Sequence, residues 1–319
     1  MIPVVDVRDL RVRFHGERDV YAVNGVDITL GPGEVLGLLG ESGSGKSVTL
    51  RALLRMLPPR HSNVAGSIRI AGEDVLAMND AAIERLRGGV AAMIFQEPML
   101  ALDPVFTIGH QIAETVVRHR GTSWARARAR ALEMLDSVRI PSARRRLDAY
   151  PHELSGGMRQ RAMIALALSC GPKLLLADEP TTALDSTVQI QILLLLRELQ
   201  RALGMAVIFV THDVGVAVEI SDRVAVMYGG RIVENGTVHE VVREPAHPYT
   251  RGLLASTVVG ARRGQRLEAI SGTPPRLDAA PQGCSFAPRC NLADAACREA
   301  DIVSVALSPS RSVRCRKVN

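Results

Sequence analysis

The sequence has few aromatic residues and no long apolar run. Five Phe, four Tyr and one Trp make up 3% of the 319 residues, and they are scattered singly. This scarcity argues against a stacking platform for single-stranded nucleic acid. No apolar run approaches the ~18 residues that cross a bilayer. Asp6 and Arg8 stand where a signal peptide would need its apolar core, so we expect the chain on the cytosolic side, with any membrane role exercised through partners.

Neither sign of charge dominates the chain. Lys and Arg number 39 against 33 Asp and Glu, and the resulting +6 permits a polyanionic partner but does not require one. The most basic stretches are WARARAR at Trp124 to Arg130 and the run Arg144 to Arg146. Ala and Arg are strong helix formers, so we interpret both stretches as solvated helix faces rather than nucleic-acid patches. The 47% hydrophobic content is ample for a sizeable core, and the length corresponds to about two domains.

Cysteine is nearly absent from the body of the chain, where Cys170 stands alone. The other four, Cys284, Cys290, Cys297 and Cys315, fall within the last 36 residues. In a reducing cytosol such a group favours metal or cluster ligands over two disulfides. The spacing C-x5-C-x6-C-x17-C lacks the short pairs of structural zinc sites. We therefore expect a [4Fe–4S] cluster with a structural role; Zn²⁺ and free thiols in a loose tail are the alternatives.

The order of the predicted elements divides the chain into three parts. Short β-branched strands fill the first 80 residues, and apolar strands then alternate with helices, which indicates a mostly parallel sheet. Residues of about 98–170 have helical periodicity and form a predicted helical insertion. The composition changes near residue 240, so the predicted domains are 4–240 and 241–319. The second is rich in proline and cysteine, too irregular for a large core of its own.

A glycine-rich loop with the pattern G-x-x-x-x-G-K-[ST] joins a predicted strand to a predicted helix. Glycines let backbone N–H groups wrap a phosphate, Lys46 reaches the β- and γ-phosphates, and Ser47 supplies an oxygen to Mg²⁺. A plain glycine-rich turn is the alternative, but the position between strand and helix favours ATP. The residues predicted to contact the nucleotide are Gly40, Glu41, Ser42, Gly43, Ser44, Gly45, Lys46 and Ser47.

Two further segments carry candidate chemistry. The apolar strand KLLLAD delivers Asp178 and then Glu179, so Asp178 can hold Mg²⁺ while Glu179 orients the attacking water; a plain turn or a helix cap is the alternative. LSGGM opens a helix at Ser155, Gly156 and Gly157, which is either a second anion-binding helix start or an ordinary capped helix. One ATP needs only one phosphate loop. A second such start therefore suggests that two chains each contribute one.

In this order and spacing, these segments resemble the nucleotide-binding subunits of ABC transporters. The motifs that carry the resemblance are GESGSGKS, the glutamine of FQE, LSGGM, KLLLADE, ALD and THD, over residues of about 4 to 240. The resemblance implies a P-loop NTPase (RecA-like) core of the α/β class. Around it are expected an antiparallel β subdomain, a helical ABC subdomain and an irregular C-terminal cysteine-rich extension.

The resemblance also implies a role for individual residues. Tyr21 would stack on adenine, and Gln96 would sense Mg²⁺ and the attacking water. Glu179 would be the general base, Asp185 would cross a dimer interface and His212 would contact the γ-phosphate. The signature loop of one subunit would close over the nucleotide held by the other. An ordinary strand aromatic at Tyr21, and core or capping roles for Gln96 and His212, are the alternatives.

A narrower resemblance points to the ATPase subunits of oligopeptide, dipeptide and nickel importers. It is carried by FQEPMLALDP, YPHELSGGMRQR, DEPTTALD, HPYTRGLL, GTPP and the cysteine tail. It implies a second, nonidentical ATPase subunit, two transmembrane permeases and an extracytoplasmic solute-binding protein, at the cytoplasmic face of the inner membrane. Peptide is the expected cargo and nickel or another small solute the alternative. A soluble ABC protein acting on nucleic acid or ribosomes would carry two cores or a long coiled coil, and a nonhydrolytic regulator would not need Glu179 and His212.

Overall fold

A computed structural model of the chain describes residues 2–182, 184–257, 269–280, 282–299 and 301–318; Ala183 of the ALD motif lies outside them. The strands are β1 Val5–Phe14, β2 Val20–Leu30, β3 Val35–Leu39, β4 Ser62–Ile70, β5 Glu73–Asp74, β6 Ala91–Ile94, β7 Leu174–Asp178, β8 Ala206–Thr211, β9 Arg223–Tyr228, β10 Arg231–Thr237, β11 Val305–Ser308 and β12 Arg311–Val313. The helices are α1 Lys46–Leu53, α2 Asp80–Gly89, α3 Pro98–Ala101, α4 Ile108–Arg120, α5 Trp124–Ser137, α6 Ala143–Arg146, α7 Gly156–Leu168, α8 Ser186–Leu203, α9 Val214–Ile220, α10 Val238–Arg243, α11 Pro248–Ala255 and α12 Ala296–Glu299. The chain forms two compact units, Met1–Leu76 with Phe209–Asn319, and Ala77–Ile208.

The first unit begins with an antiparallel sheet of strand order β2-β1-β4-β5. Val5 of β1 pairs with Leu30 on one side and with Ile70 on the other, so β1 is central. Val5, Val7 and Leu10 are fully buried, while Arg8 and Arg11 face outward. This one-sided burial is what alternating apolar and polar residues dictate in a half-covered sheet.

The same unit contains a pair of parallel strands that leads to the glycine-rich loop. β3 pairs in parallel with β9, and all five residues of β3 are buried, as its unbroken apolar run predicts. β9 continues through a two-residue turn into β10, and the two pair antiparallel. Gly229 and Gly230 both have positive φ (57° and 76°), the conformation that a tight hairpin needs to match strand twist. β9 and β10 therefore form a β-hairpin.

The second unit pairs β6 in parallel with β7, and the described chain between these strands is helical. α5 starts at Trp124, which confirms that the alternating Ala and Arg form a helix. Ala127 and Ala131, one turn apart, are fully buried. Arg128 binds Asp148 at 2.7 Å, and Arg130 binds Glu133 at 3.1 Å. The basic stretch is therefore satisfied partly by the protein's own acids.

The helix α8 shows how the helices of this unit are built. It has 18 residues, starts at the cap Asp185 and ends at Gly204, which has the left-handed conformation common at helix ends. Ile192, Leu195 and Leu196 form a buried stripe on this helix. The charged residues Arg197, Glu198 and Arg201 interrupt the apolar character of the helix. None of the helices formed by the described residues combines the length and apolar character that a membrane crossing needs.

The cysteine-rich extension belongs to the first unit and shares a core with the rest of it. Val241, Tyr249, Leu253 and Phe286 are buried in one cluster with Leu39, the last residue of β3. The extension also adds the hairpin β11–β12, whose strand β12 pairs with β10. No sequence pattern predicts this hairpin, because its strands are three and four residues long and β11 is mostly exposed, which leaves no period-two alternation. The domain boundary near residue 240 stays a prediction.

Candidate ATP-binding site

The phosphate loop, Gly40–Ser47, lies in the first unit where the sequence places it, between β3 and α1. Lys46 is the first residue of α1 and is 5% exposed. Its ammonium group donates hydrogen bonds to the carbonyl oxygens of Gly40 at 2.7 Å and Glu41 at 2.9 Å. The lysine is thus folded over the loop, with its charge at the helix N-terminus where an anion binds best.

Two glycines of the loop are required by its shape. Gly40 has φ 154°, and a Cβ there would collide with the carbonyl oxygen of Met227. Gly45 has φ 105°, and a Cβ there would collide with the carbonyl oxygen of Ala22. Both collisions involve backbone, which cannot move aside as a flexible side chain can. The loop is therefore pressed against its neighbouring strands, and only glycine permits this.

Tyr21 and His212 belong to the same unit. Tyr21 lies in β2, half-buried, and the guanidinium of Arg13 sits 5.1 Å from the centre of its ring, at cation–π distance. His212 is exposed and directly follows β8. The next residue, Asp213, caps α9 by accepting a hydrogen bond from the N–H of Val216. The roles of Tyr21 toward adenine and of His212 toward the γ-phosphate stay predictions.

In the second unit, Gln96 and Asp178 follow two neighbouring parallel strands. β6 and β7 are paired through Ile94 and Ala177, so their carboxyl ends lie at one edge of the sheet. Gln96 comes two residues after β6 and is exposed, whereas Asp178 ends β7 and is 2% exposed. The carboxyl ends of parallel strands are the usual place for ligand-binding side chains. Ser47 belongs to the first unit, and the common role of these three residues toward Mg²⁺ stays a prediction.

Glu179 has an unusual backbone conformation. Its φ is +46°, in the left-handed region that residues other than glycine rarely adopt. The hydroxyl of Thr182 donates hydrogen bonds to the Glu179 carboxylate at 2.9 Å and to its carbonyl oxygen at 3.3 Å. Such strain is often found where a side chain has to be aimed. The geometry supports a positioned carboxylate directly after a buried strand.

The signature residues begin a helix, as predicted. Ser155 caps α7 by accepting a hydrogen bond from the N–H of Met158, and it is exposed with Gly156. A Cβ on Gly157 would lie 2.9 Å from a methyl group of Val188, in the first turn of α8. Asp185 caps α8 and is also exposed. The N-termini of α7 and α8 are therefore close neighbours, and both capping residues face solvent.

The four cysteines of the extension carry free thiols. The N–H of Leu292 donates to the sulfur of Cys290, and the N–H of Lys317 donates to that of Cys315, both at 3.4 Å. Burial raises the pKa of the Cys284 and Cys315 thiols, and Cys290 raises both further because like charges would repel. Within the described ranges no group of three or more His, Cys, Asp or Glu is placed to hold a metal ion. The described residues thus contain no assembled metal site, and the cluster stays a prediction.

Comparisons with known proteins agree with this geometry. The family model described as ABC transporter matches residues 23–182. A Brucella melitensis protein named for peptide import and ATP binding is 51% identical, and the match covers 98% of this chain and 96% of that protein. The chain belongs to the ABC transporter family. A second model, described as the oligopeptide/dipeptide transporter C-terminal region, matches residues 233–297 of this ABC transporter ATPase.

Further relatives and solved structures extend the comparison. A Sinorhizobium fredii protein named as a peptide ABC transporter ATP-binding protein is 49% identical over 99% of this chain and 95% of its own. A dimeric ATP-binding cassette solved in a post-hydrolysis state with ADP and phosphate is 30% identical; the match has a TM-score of 0.65 and covers 73% of this chain and 98% of that one. A Clostridium perfringens subunit, part of an ABC transporter complex, is 28% identical with a TM-score of 0.66 and coverage of 76% and 92%. The predicted P-loop NTPase fold is confirmed.

Two residues that were not predicted from the sequence contact the phosphate loop of this ABC transporter ATPase. The hydroxyl of Tyr249 accepts a hydrogen bond from the N–H of Glu41 at 2.9 Å, and Arg289 forms an ion pair with the Glu41 carboxylate at 2.8 Å. They lie 208 and 248 residues along the chain from the loop. No local spacing marks contacts of such separation. The signal in the sequence was Glu41 itself, an acidic residue inside a loop that is predicted to bind phosphate.

Proposed function

We propose that this ABC transporter ATPase powers the import of peptides. The observation that carries the proposal is the match at about half identity, over nearly the whole chain, to relatives named for peptide import or peptide transport. The match of residues 233–297 to the oligopeptide/dipeptide transporter C-terminal region supports the same substrate class. Its partners in the proposal are two transmembrane permeases and an extracytoplasmic solute-binding protein. The ATPase then works at the cytoplasmic face of the inner membrane, attached through the permeases.

The proposal includes a second, nonidentical ATPase subunit. Exposed residues at the starts of α7 and α8, among them Ser155 and Asp185, support a dimer in which the signature loop of one subunit closes over nucleotide held by the other. The cassette solved with ADP and phosphate is itself dimeric. Closure on ATP and reopening after hydrolysis would supply the mechanical step.

The proposed chemistry is phosphoryl transfer to water by positioning and charge stabilisation. The loop N–H groups and Lys46 bind the phosphates, Glu179 accepts the proton of the attacking water, and His212 holds the γ-phosphate. Mg²⁺ would neutralise phosphate charge when held by Ser47, Gln96 and Asp178, whose hydroxyl, amide and carboxylate oxygens suit this ion. The strained φ of +46° at Glu179 and the hydrogen bond from Thr182 support its role as an aimed base.

Purification of the native assembly through a tag on this chain tests the partners. Membrane permeases and a second ATPase should copurify, whereas nucleic acid or ribosomes would contradict the proposal. Reconstitution of the assembly in liposomes with its solute-binding protein then tests the cargo. ATP hydrolysis should rise when the solute-binding protein is loaded with peptides, and it should not rise when that protein is loaded with nickel. Stimulation of ATP hydrolysis by nickel and not by peptides would mean that the cargo is the metal ion.

We also propose that Cys284, Cys290, Cys297 and Cys315 hold one [4Fe–4S] cluster. Donor chemistry supports this, because backbone N–H groups already donate to the sulfurs of Cys290 and Cys315, as they do around cluster thiolates. Cys284 accepts similar bonds from Phe286 and Ala287. A cluster would supply a structural cross-link to an extension with little regular structure.

Metal analysis after anaerobic purification tests the cluster. A brown protein with about four irons per chain is expected if all four thiolates bind one cubane. Replacement of Cys290 by Ser should remove the iron, while replacement of Cys170, which is not one of the four proposed ligands, should not. Stoichiometric zinc without iron would overturn the cluster assignment but keep the site, and a metal-free protein would overturn both.

A further inference from the structure

Arg289 belongs to the C-terminal extension, yet its guanidinium binds the phosphate loop. Its side chain is 5% exposed, and its two terminal nitrogens contact the two carboxylate oxygens of Glu41 at 2.8 and 3.2 Å. This two-bonded arrangement is the strongest geometry for an arginine and a carboxylate. Glu41 is the second residue of the loop, next to Gly40.

The position of Arg289 is itself fixed by neutral groups. Its Nε donates to the carbonyl oxygen of Ser271 at 2.9 Å, and a terminal nitrogen donates to that of Ile270 at 3.1 Å. The hydroxyl of Tyr228 accepts a further bond at 3.2 Å. The carboxylate partner holds the pKa of Arg289 above its usual range, so the group is a permanent cation. Held by these contacts, the guanidinium presents its charge to Glu41.

Glu41 is anchored at three of its polar groups. Its N–H donates to the Tyr249 hydroxyl, its carboxylate binds Arg289, and its carbonyl oxygen accepts a hydrogen bond from Lys46. Two of these three contacts come from the extension. The residue whose carbonyl oxygen receives the phosphate-binding lysine is therefore held from residues beyond 240.

An acidic side chain in this loop creates an electrostatic difficulty. The loop and Lys46 must attract a polyphosphate, and an uncompensated carboxylate within the loop would repel it. We propose that Arg289 is a positioning residue for ATP binding, which neutralises Glu41 and holds the loop in its binding conformation. This inference rests on the assignment of Gly40–Ser47 as the ATP-binding loop.

A plain anchoring role is the competing explanation, and the chain offers a matched control for it. Arg311 also joins the extension to the first unit, through an ion pair at 2.9 Å with Glu234 of β10. Both side chains are buried, at 9% and 0% exposure. The hydrogen bonds described for Arg311 go to Glu234 and to the carbonyl oxygen of Glu244, not to the loop. Loss of either arginine removes one buried anchor, but only Arg289 carries charge to the loop.

The test measures the Kd for ATP with Mg²⁺, and the Tm without nucleotide, in the purified full-length chain. Arg289→Ala should weaken ATP binding about tenfold, since an unpaired carboxylate then faces the phosphates. Arg311→Ala should lower Tm but leave Kd within about twofold. Glu41→Gln in the Arg289→Ala background should restore Kd to within about threefold of wild type, because the repulsive charge is gone. Arg289→Lys, which keeps a charge but not the paired geometry, should lose about threefold and serves if the alanine variant does not fold.

Three outcomes would overturn the inference. An unchanged Kd in both Arg289 variants would show that the ion pair does not serve ATP binding. Equal weakening by Arg289→Ala and Arg311→Ala would show that docking of the extension alone matters. Failure of Glu41→Gln to rescue would remove the electrostatic basis. A wild-type chain that bound no ATP would contradict the loop assignment, and with it both the proposed function and this inference. If the wild-type chain binds ATP normally, the Arg289 variants test the inference alone.

Discussion

Lys46 is the cation on which the phosphate loop depends, because it closes over the loop carbonyls at the start of α1. Lys46→Ala should lower the ATPase rate of the assembled complex by about 10²-fold or more, since a charge preorganised for the β- and γ-phosphates is lost. Arg51→Ala, an exposed change on the same helix, is the control and should have little effect. Ordinary ATPase activity in Lys46→Ala would contradict the assignment.

A substitution at Glu179 should separate the binding of ATP from its hydrolysis. Glu179→Gln is expected to keep ATP and Mg²⁺ bound while slowing hydrolysis by ~10² or more, since an amide can hydrogen-bond water but cannot accept its proton. ATP should then trap the closed dimer, which gel filtration detects. Glu198→Gln, an exposed change that affects only an ion pair with Arg139, is the control. Turnover of Glu179→Gln within a few-fold of wild type would mean that another group is the base.

The buried imidazole of His247 should make the stability of the protein depend on pH. It is 1% exposed, its Nδ1 accepts a hydrogen bond from the N–H of Tyr249, and burial lowers its pKa from 6.5 to about 4. Below pH 6.5 the imidazole of His247 takes up a proton in the unfolded chain, but in the folded chain it stays neutral until the pH approaches 4. The free energy of unfolding should therefore fall, by up to about 3 kcal/mol from this group, as the pH drops from 6.5 toward 4.

The matched variant for this prediction is His247→Asn, whose side-chain oxygen can still cap α11 but does not titrate. Urea unfolding between pH 7.5 and 4.5 measures both proteins. The loss of stability toward acid should be shallower in the variant. Parallel pH profiles would show that His247 is not responsible.

The start of α7 carries the prediction for assembly. Ser155 is an exposed cap, so Ser155→Arg should leave ATP binding to the isolated chain intact and block dimer closure by filling the space required for the partner's nucleotide. Ser123→Arg, at the exposed start of α5, is the control. ATP titration and gel filtration in the Glu179→Gln background check both parts. Loss of ATP binding by the lone chain would mean that α7 serves its own site.

Some strands and helices could be predicted from the sequence and others could not, for physical reasons. β3 and β7 could be predicted because fully buried parallel strands have unbroken apolar runs, and α7 because Ser155 is a strong cap. The hairpin β11–β12 is short and its strand β11 is mostly exposed, so neither pattern exists. At the candidate site, the motifs marked Lys46 and Glu179. The contacts of Arg289 and Tyr249 depend on tertiary structure that no local pattern encodes.

The extension and the rest of the first unit are joined through a buried acid. Glu234 is fully buried and accepts hydrogen bonds from the N–H groups of Ala246 and His247 and from Arg311, each at 2.9 Å. A chain shortened to residues 1–240 loses all three donors. Its free energy of unfolding should fall by about 3–5 kcal/mol or more, because the acid loses these partners and the core around Leu39 loses Tyr249, Leu253 and Phe286.

Circular dichroism melts and the soluble fraction after expression measure this effect. Glu234→Gln in the shortened chain should recover part of the loss, because a neutral amide is less costly to bury without partners. A shortened chain as stable as the full one would show that the extension is independent of the first unit.

The distance along the chain between the phosphate loop and its anchors has a consequence for biosynthesis. Glu41 leaves the ribosome early, while Tyr249 and Arg289 follow 208 and 248 residues later. Because β3 also pairs with β9, most of the loop's supports are synthesised in the second half of translation. The nascent chain therefore displays its phosphate-binding motif long before the motif can be held in shape, and tight ATP binding should begin only as the extension emerges and folds.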